Sequence, residues 1–192
     1  MINEKTINKN LLLIKKTILL IPVIIFSTFL ITLSAKLKVP FYPVPMTMQP
    51  FVIVLMGAMF GWRLGATIIL TYLLEGALGL PVFAGTPEKG IGLSYILGPT
   101  FGYILGFIVA VLIAGRINFK VNFLKRILLA SICIAPIYIL GMIWLGTIIG
   151  WDKPIFELGA KPFLLAELFK VLLIAIILPL VLKLKNKLKK FI

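Results

Sequence analysis

Apolar runs interrupted by short charged or Gly/Pro-rich breaks dominate the chain, at about 17–35, 50–62, 64–83, 96–115, 127–150 and 162–182. A helix needs roughly 20 apolar residues to cross a bilayer core about 30 Å thick, so the pattern predicts six membrane-spanning helices. The second run is short, and Arg63 alone divides it from the third. Either 50–62 gains length from the preceding loop, or 50–83 forms one broken hairpin. A straight helix over 50–83 would be about 50 Å long, so two helices are expected, with any irregular backbone buried in protein. The predicted fold is an all-α integral membrane protein, a six-helix bundle forming a single domain over residues 1–192.

Composition strengthens this reading. Hydrophobic residues make up 61% of the 192 positions and charged residues 14%, against roughly 45–50% and 25% in soluble domains. The charges are lopsided, 20 Lys+Arg to 6 Asp+Glu, for a formal +14. A basic excess can mark nucleic-acid binding, but its distribution here reads as topology. Six spans put both termini on one side, and the positive-inside rule makes that side cytoplasmic. Fourteen basic residues then lie inside: Lys5, Lys9, Lys15, Lys16, Arg63, Arg116, Lys120, Lys125, Arg126, Lys183, Lys185, Lys187, Lys189 and Lys190. Five lie outside (Lys36, Lys38, Lys89, Lys153 and Lys161), and Lys170 falls within the last span. No nucleic-acid partner is expected; membrane lipid is. The basic N-terminal segment resembles a signal peptide but has no small-x-small cleavage site, so the first helix is expected to be retained.

The residue inventory excludes several chemistries. With no histidine, there is no Ser-His-Asp or Cys-His catalysis and no His-ligated metal. Cys133 is alone in an apolar run, which leaves no intrachain disulfide. No G-x-x-x-x-G-K-[ST] loop occurs, so ATP hydrolysis would belong to partner subunits. No catalytic residue, metal or cofactor is expected. An intramembrane enzyme would have only Glu75 or Lys170 as a buried base.

Charges placed in lipid cost about 2.5–3.5 kcal/mol each on insertion scales, so Glu75, Glu167 and Lys170 need a reason. Glu167 and Lys170 are three apart and share a helix face, either as a self-neutralising packing pair or as acceptor and donor lining a polar cavity. Glu75 reads as a packing or anchoring group, or as a ligand contact. Gly98, Gly102 and Gly106 form a stripe for close helix approach, with Tyr95, Thr100 and Tyr103 beside it. The loop at 39–50 (VPFYPVPMTMQP) carries four prolines, which forbid regular helix. Being apolar at its tip, it is expected to pack over the bundle as a lid, with Thr47 and Gln49 at its end. Residues 79–85 form a similar apolar Gly/Pro turn. Together these elements predict a small-molecule pocket with aromatic walls and a few directed polar groups.

The stretches 39–50, 72–85 (YLLEGALGLPVFAG), 90–107 (GIGLSYILGPTFGYILGF) and 162–170 (PFLLAELFK) together resemble the BioY family, the biotin-binding substrate components of energy-coupling-factor (ECF) transporters. The resemblance implies biotin capture at the bacterial inner membrane, with a transmembrane coupling subunit and two cytoplasmic ATPase subunits as partners. It places the family's acidic-x-x-Lys pattern on Glu167 and Lys170, with glutamate for the usual aspartate, and its GPTGGY motif on 98–103, with Phe101 for a glycine. A small-x-x-x-small docking pattern for the coupling subunit would fall on Ser27 and Ile31, with Thr28 and Thr32 alongside. For biotin, Glu167 would accept from the ureido N–H groups. Lys170, Gln49, Thr100, Tyr95 and Tyr103 would meet the carbonyl or the valerate carboxylate, and Phe83 and Tyr42 would pack on the ring and tail. The alternatives are a substrate component for another small vitamin, or a regulatory or assembly protein that does not transport.

Overall fold

A computed structural model describes residues 4–40 and 42–188, with side chains over 18–40 and 42–187. The side chains of Lys5, Lys9, Lys15, Lys16, Lys189 and Lys190, on which part of the orientation rests, lie outside the described residues, as does Phe41.

Among the described residues, seven helices form in chain order: α1 (Glu4–Lys36), α2 (Gln49–Ala77), α3 (Leu93–Ile96), α4 (Phe101–Ala114), α5 (Phe123–Ile149), α6 (Ile155–Gly159) and α7 (Leu164–Leu188), the last entered through a 3-10 turn at Lys161–Phe163. Among the described residues, four segments are long and apolar enough to cross a membrane: Ile18–Lys36, Gln49–Ala77, Phe123–Ile149 and Ile155–Lys187. Phe101–Ala114 is a shorter apolar helix.

The six expected runs and these four long segments differ chiefly at α2, which is two helices joined at Gly61, where φ is +79° and ψ 172°. The chain doubles back there. A Cβ placed on Gly65 would lie 3.5 Å from the Gly57 Cα, whereas residues eight apart in one helix stand about 12 Å apart. The break falls at Gly61 rather than at Arg63, because the reversal needs a positive φ that glycine adopts without strain. The second arm ends at Ala77, short of the expected 83, and 78–92 is a turn-rich segment.

Small residues set the packing. A Cβ at Gly57 would stand 2.7 Å from the Ala114 Cβ, and one at Gly115 2.2 Å from the Trp62 nitrogen, so the hairpin lies backbone-close to α4. On another face of α4, a Cβ at Gly102 would meet the Leu140 carbonyl at 2.3 Å and one at Gly106 the Ile137 Cα at 2.4 Å. The expected glycine stripe therefore joins α4 to α5. Gly98 precedes α4, and its carbonyl accepts the Trp144 indole N–H at 2.9 Å. Phe101 turns onto Trp144, edge to face with centroids 4.9 Å apart. Asn122 caps α5 by accepting the Lys125 N–H, starting that helix four residues before its apolar run. Ser27 and Ile31 are both buried against the rest of the bundle, so this pair faces inward instead of offering a docking stripe.

Candidate functional site

The proline-rich loop is built as a flap. Lys38–Val39 pairs antiparallel with Met46–Thr47, and the chain between them folds Val44 inward to 5% exposure while Tyr42 stands out at 87%. Below it lies a narrow, partly open cavity with about 50 Å3 of space for the centres of water-sized molecules. Val44, Pro45 and Met46 of the flap form its roof, and Ile104, Phe107, Ile137 and Phe163 form apolar walls from α4, α5 and the turn before α7.

Besides Thr47, which is also on the cavity wall, seven predicted residues converge on this region, six of them on that wall: Gln49, Phe83, Tyr95, Thr100, Tyr103 and Lys170. The seventh, Glu167, is buried at 8% exposure behind that wall. Tyr42 points away from it and lies 6.0 Å from the Lys89 ammonium. Glu75 is also remote, accepting a 2.9 Å hydrogen bond from the Thr28 hydroxyl, which ties α2 to α1.

Each wall residue is held by its element. Gln49 opens α2, and its Nε2 donates to the Tyr72 hydroxyl at 2.9 Å. Tyr72 donates in turn to the Val82 carbonyl at 3.1 Å, while the Thr47 hydroxyl reaches Gln49 Oε1 at 3.3 Å. Phe83 stacks on Tyr95 at 5.2 Å and meets Tyr72 edge-on at 5.4 Å. Gly76 leaves room for it, since a Cβ there would fall 2.1 Å from the Phe83 ring. The Tyr95 hydroxyl accepts the Gly85 N–H at 3.1 Å. Tyr103 donates to the Gly159 carbonyl at 2.7 Å, holding α6 against α4.

The turn carrying Phe83 is anchored by two lysines at the flap's root. Lys36 Nζ donates to the Phe83 carbonyl at 2.9 Å, the Thr86 carbonyl at 2.8 Å and the Thr86 hydroxyl at 3.2 Å. Lys38 Nζ donates to the Ala84 carbonyl at 2.7 Å.

The charged part of the site is a triad. Glu167 Oε1 accepts from the Lys170 ammonium and, at 2.7 Å, from the Tyr138 hydroxyl, while its Oε2 is buried without a partner among the described residues. Lys170 is 3% exposed and, with Tyr138, stands between the carboxylate and the cavity. A buried ion pair of this kind is weak evidence of stability, but losing one partner strands the other charge. Tyr138 is the wall residue that sequence reasoning passes over. It sits mid-helix in an apolar run, and its one signal is a hydroxyl at membrane depth, which must find a partner. Tyr72 is missed for the same reason.

The arrangement can enclose a molecule with an apolar body and polar ends, offering amide, hydroxyl and ammonium groups at fixed positions. Among the described residues no cluster suited to a metal ion occurs.

Known proteins are similar to this chain in sequence and in fold. The chain is 37% identical over 141 residues to a probable biotin transporter BioY of Pyrococcus horikoshii, covering 73% of this chain and 82% of that one. It is 34% identical over 151 residues to the biotin transporter BioY of Thermotoga maritima, covering 78% and 88%. A crystal structure of the S-component for biotin from an ECF-type ABC transporter has the same fold, with a TM-score of 0.73 over 88% of this chain and 93% of that chain, at 21% identity. The BioY family model matches residues 7–187, and the chain belongs to the BioY family.

Proposed function

We propose that this chain captures biotin and serves as the substrate-binding subunit of an ECF-type transporter. The observation that supports this reading is the cavity under the flap, where Lys170, Gln49, Thr100 and Tyr95 line a space walled by aromatic and aliphatic side chains. Biotin has an apolar bicyclic body, a ureido group with two N–H donors and one carbonyl, and a carboxylate at the end of its tail. Gln49 Oε1 and the Thr100 hydroxyl are acceptors for the ureido N–H groups. The Lys170 ammonium meets an anionic or carbonyl oxygen, and Phe83 and Phe107 pack on the body and tail. Glu167 acts through Lys170 and Tyr138, holding both in place.

In this reading α1, the two arms of α2, α4, α5 and α7 are six membrane crossings, with both termini on the cytoplasmic side of a bacterial inner membrane. The excess of basic residues at one end of these helices supports that orientation. Work across the membrane requires energy from elsewhere, and the sequence has no phosphate-binding loop. A transmembrane coupling subunit and two cytoplasmic ATPase subunits would supply it, with this chain as a transport subunit and not an enzyme.

Equilibrium binding to the purified chain tests the proposal. Saturable biotin binding at one site, competed by biotin analogues but not by other small vitamins, is expected. No binding in any mild detergent or lipid would overturn it, and preference for another vitamin would reassign the substrate.

A further inference from the structure

A second site lies at the other end of the bundle. At 1.5 Å per residue, Lys183 stands about 20 Å along α7 from Lys170. There a groove of about 390 Å3 opens between the α4–α5 connection and the end of α7, lined by Phe119 and Leu182 together with Lys120, Arg126, Lys183 and Asn186. We propose that this groove binds the phosphate group of an anionic phospholipid.

Three observations support the assignment. The first concerns Arg126. Pro179 has no N–H, so the Ala175 carbonyl four residues earlier loses its helical donor. Arg126 Nη1 takes that place at 2.7 Å. This bond fixes the guanidinium at the groove, and its Nε is left buried without a partner among the described residues. An unpaired buried donor costs about 1–3 kcal/mol, and a phosphate oxygen would remove that cost.

The second is charge. The chain has no acidic residue between Glu88 and Asp152 and none after Glu167. The counter-charge for Lys120, Arg126 and Lys183 therefore comes from outside these segments, and a phosphate oxygen matches an arginine beside two lysines.

The third selects a lipid over a soluble anion. Leu124 and Leu128 on α5 are 75% and 60% exposed, and Leu184 and Leu180 on α7 are 43% and 59% exposed. α5 starts at the groove and α7 ends there, so both exposed apolar stripes run from it toward the middle of the bundle. A headgroup in the groove would have its acyl chains laid along surfaces already facing hydrocarbon. This inference is independent of what the upper cavity binds.

The test is native mass spectrometry of the full chain in neutral detergent, titrated with phosphatidylglycerol, phosphatidylcholine or glycerophosphate. One tightly held phosphatidylglycerol is expected, with weaker phosphatidylcholine and glycerophosphate binding. Lys120→Gln and Lys183→Gln should each weaken it about fivefold. Lys125→Gln and Lys187→Gln remove the same charge from exposed positions off the groove and should leave the tightly held lipid in place. Using the lysines avoids Arg126, whose loss would also strand the Ala175 carbonyl. Equal losses in all four variants would show diffuse attraction and overturn the site. Glycerophosphate binding as well as the lipid would make it a soluble-anion site, and no retained phosphatidylglycerol would end the proposal.

Discussion

The Gln49 amide donates to the Tyr72 hydroxyl at 2.9 Å, and this bond joins the start of one arm of the α2 hairpin to the far part of the other. Tyr72 passes the connection on to the Val82 carbonyl at 3.1 Å. A binding residue at the flap's end, a buried tyrosine and the turn bearing Phe83 thus form one hydrogen-bonded unit. Tyr72→Phe should leave the Val82 carbonyl and Gln49 Nε2 short of partners, at about 1–3 kcal/mol of stability. It should also weaken biotin binding, although Tyr72 is not on the cavity wall. Thermal unfolding and calorimetric titration of the variant check both effects.

The Glu167–Lys170 pair separates stability from binding. Glu167→Gln leaves a buried ammonium without its counter-charge and should cost about 3–5 kcal/mol. Replacing both residues, as Glu167→Leu with Lys170→Met, should recover most of that stability while biotin binding stays lost. Denaturation midpoints compared with binding isotherms for the three proteins give the answer. Full binding by the double variant would remove the pair from the site.

Tyr138→Phe keeps the ion pair and removes one 2.7 Å hydrogen bond to it. A loss of about 1 kcal/mol, or roughly fivefold in affinity, is expected. Unchanged affinity in the same titration would make Tyr138 a wall group only.

Gly106→Ala should be poorly tolerated, because its Cβ would stand 2.4 Å from the Ile137 Cα, a backbone atom that cannot rotate aside. Overpacking of this kind costs about 1–3 kcal/mol, and α5 would have to move away from α4 next to the cavity. Leu105→Ala, one residue away on an exposed face, is the control. Thermal stability should fall more for the glycine variant, with biotin affinity falling beside it.

Pro179 and Arg126 should be energetically coupled. Pro179→Ala restores a backbone donor for the Ala175 carbonyl, so Arg126→Gln should destabilise less in that background than alone. A double-mutant cycle on unfolding free energy should give a coupling of about 0.5–3 kcal/mol.

Much of this arrangement was legible from the sequence for physical reasons. Apolar runs report hydrocarbon exposure directly, and the prolines at 40, 43 and 45 mark a non-helical flap, whereas Pro50 stands in the first turn of α2, where a helix tolerates proline. The ends of elements were less visible. Asn122 moved the start of α5 before its apolar run, and the turn after Ala77 is itself apolar, so hydropathy alone could not separate it from helix. Within the site, Gln49, Thr100 and Lys170 stand out because polar groups there are unusual, whereas Tyr72 and Tyr138 hide among hydrophobic neighbours. The charge of Glu167 allows either a packing pair or a ligand contact, and the sequence does not show that Lys170 and Tyr138 line the cavity while Glu167 lies outside its lining, a three-dimensional order that spacing along one helix does not contain.

The lysine anchors at the flap's root bear on how long a bound molecule stays. Lys36 and Lys38 together make four hydrogen bonds to 83–86, linking the segment that covers the cavity to the segment that forms its aromatic wall. Moving these two segments apart strips the ammonium groups of their acceptors. Residence time should therefore be set by this latch as well as by contacts with the occupant, so its loosening would raise the dissociation rate even with every wall residue intact.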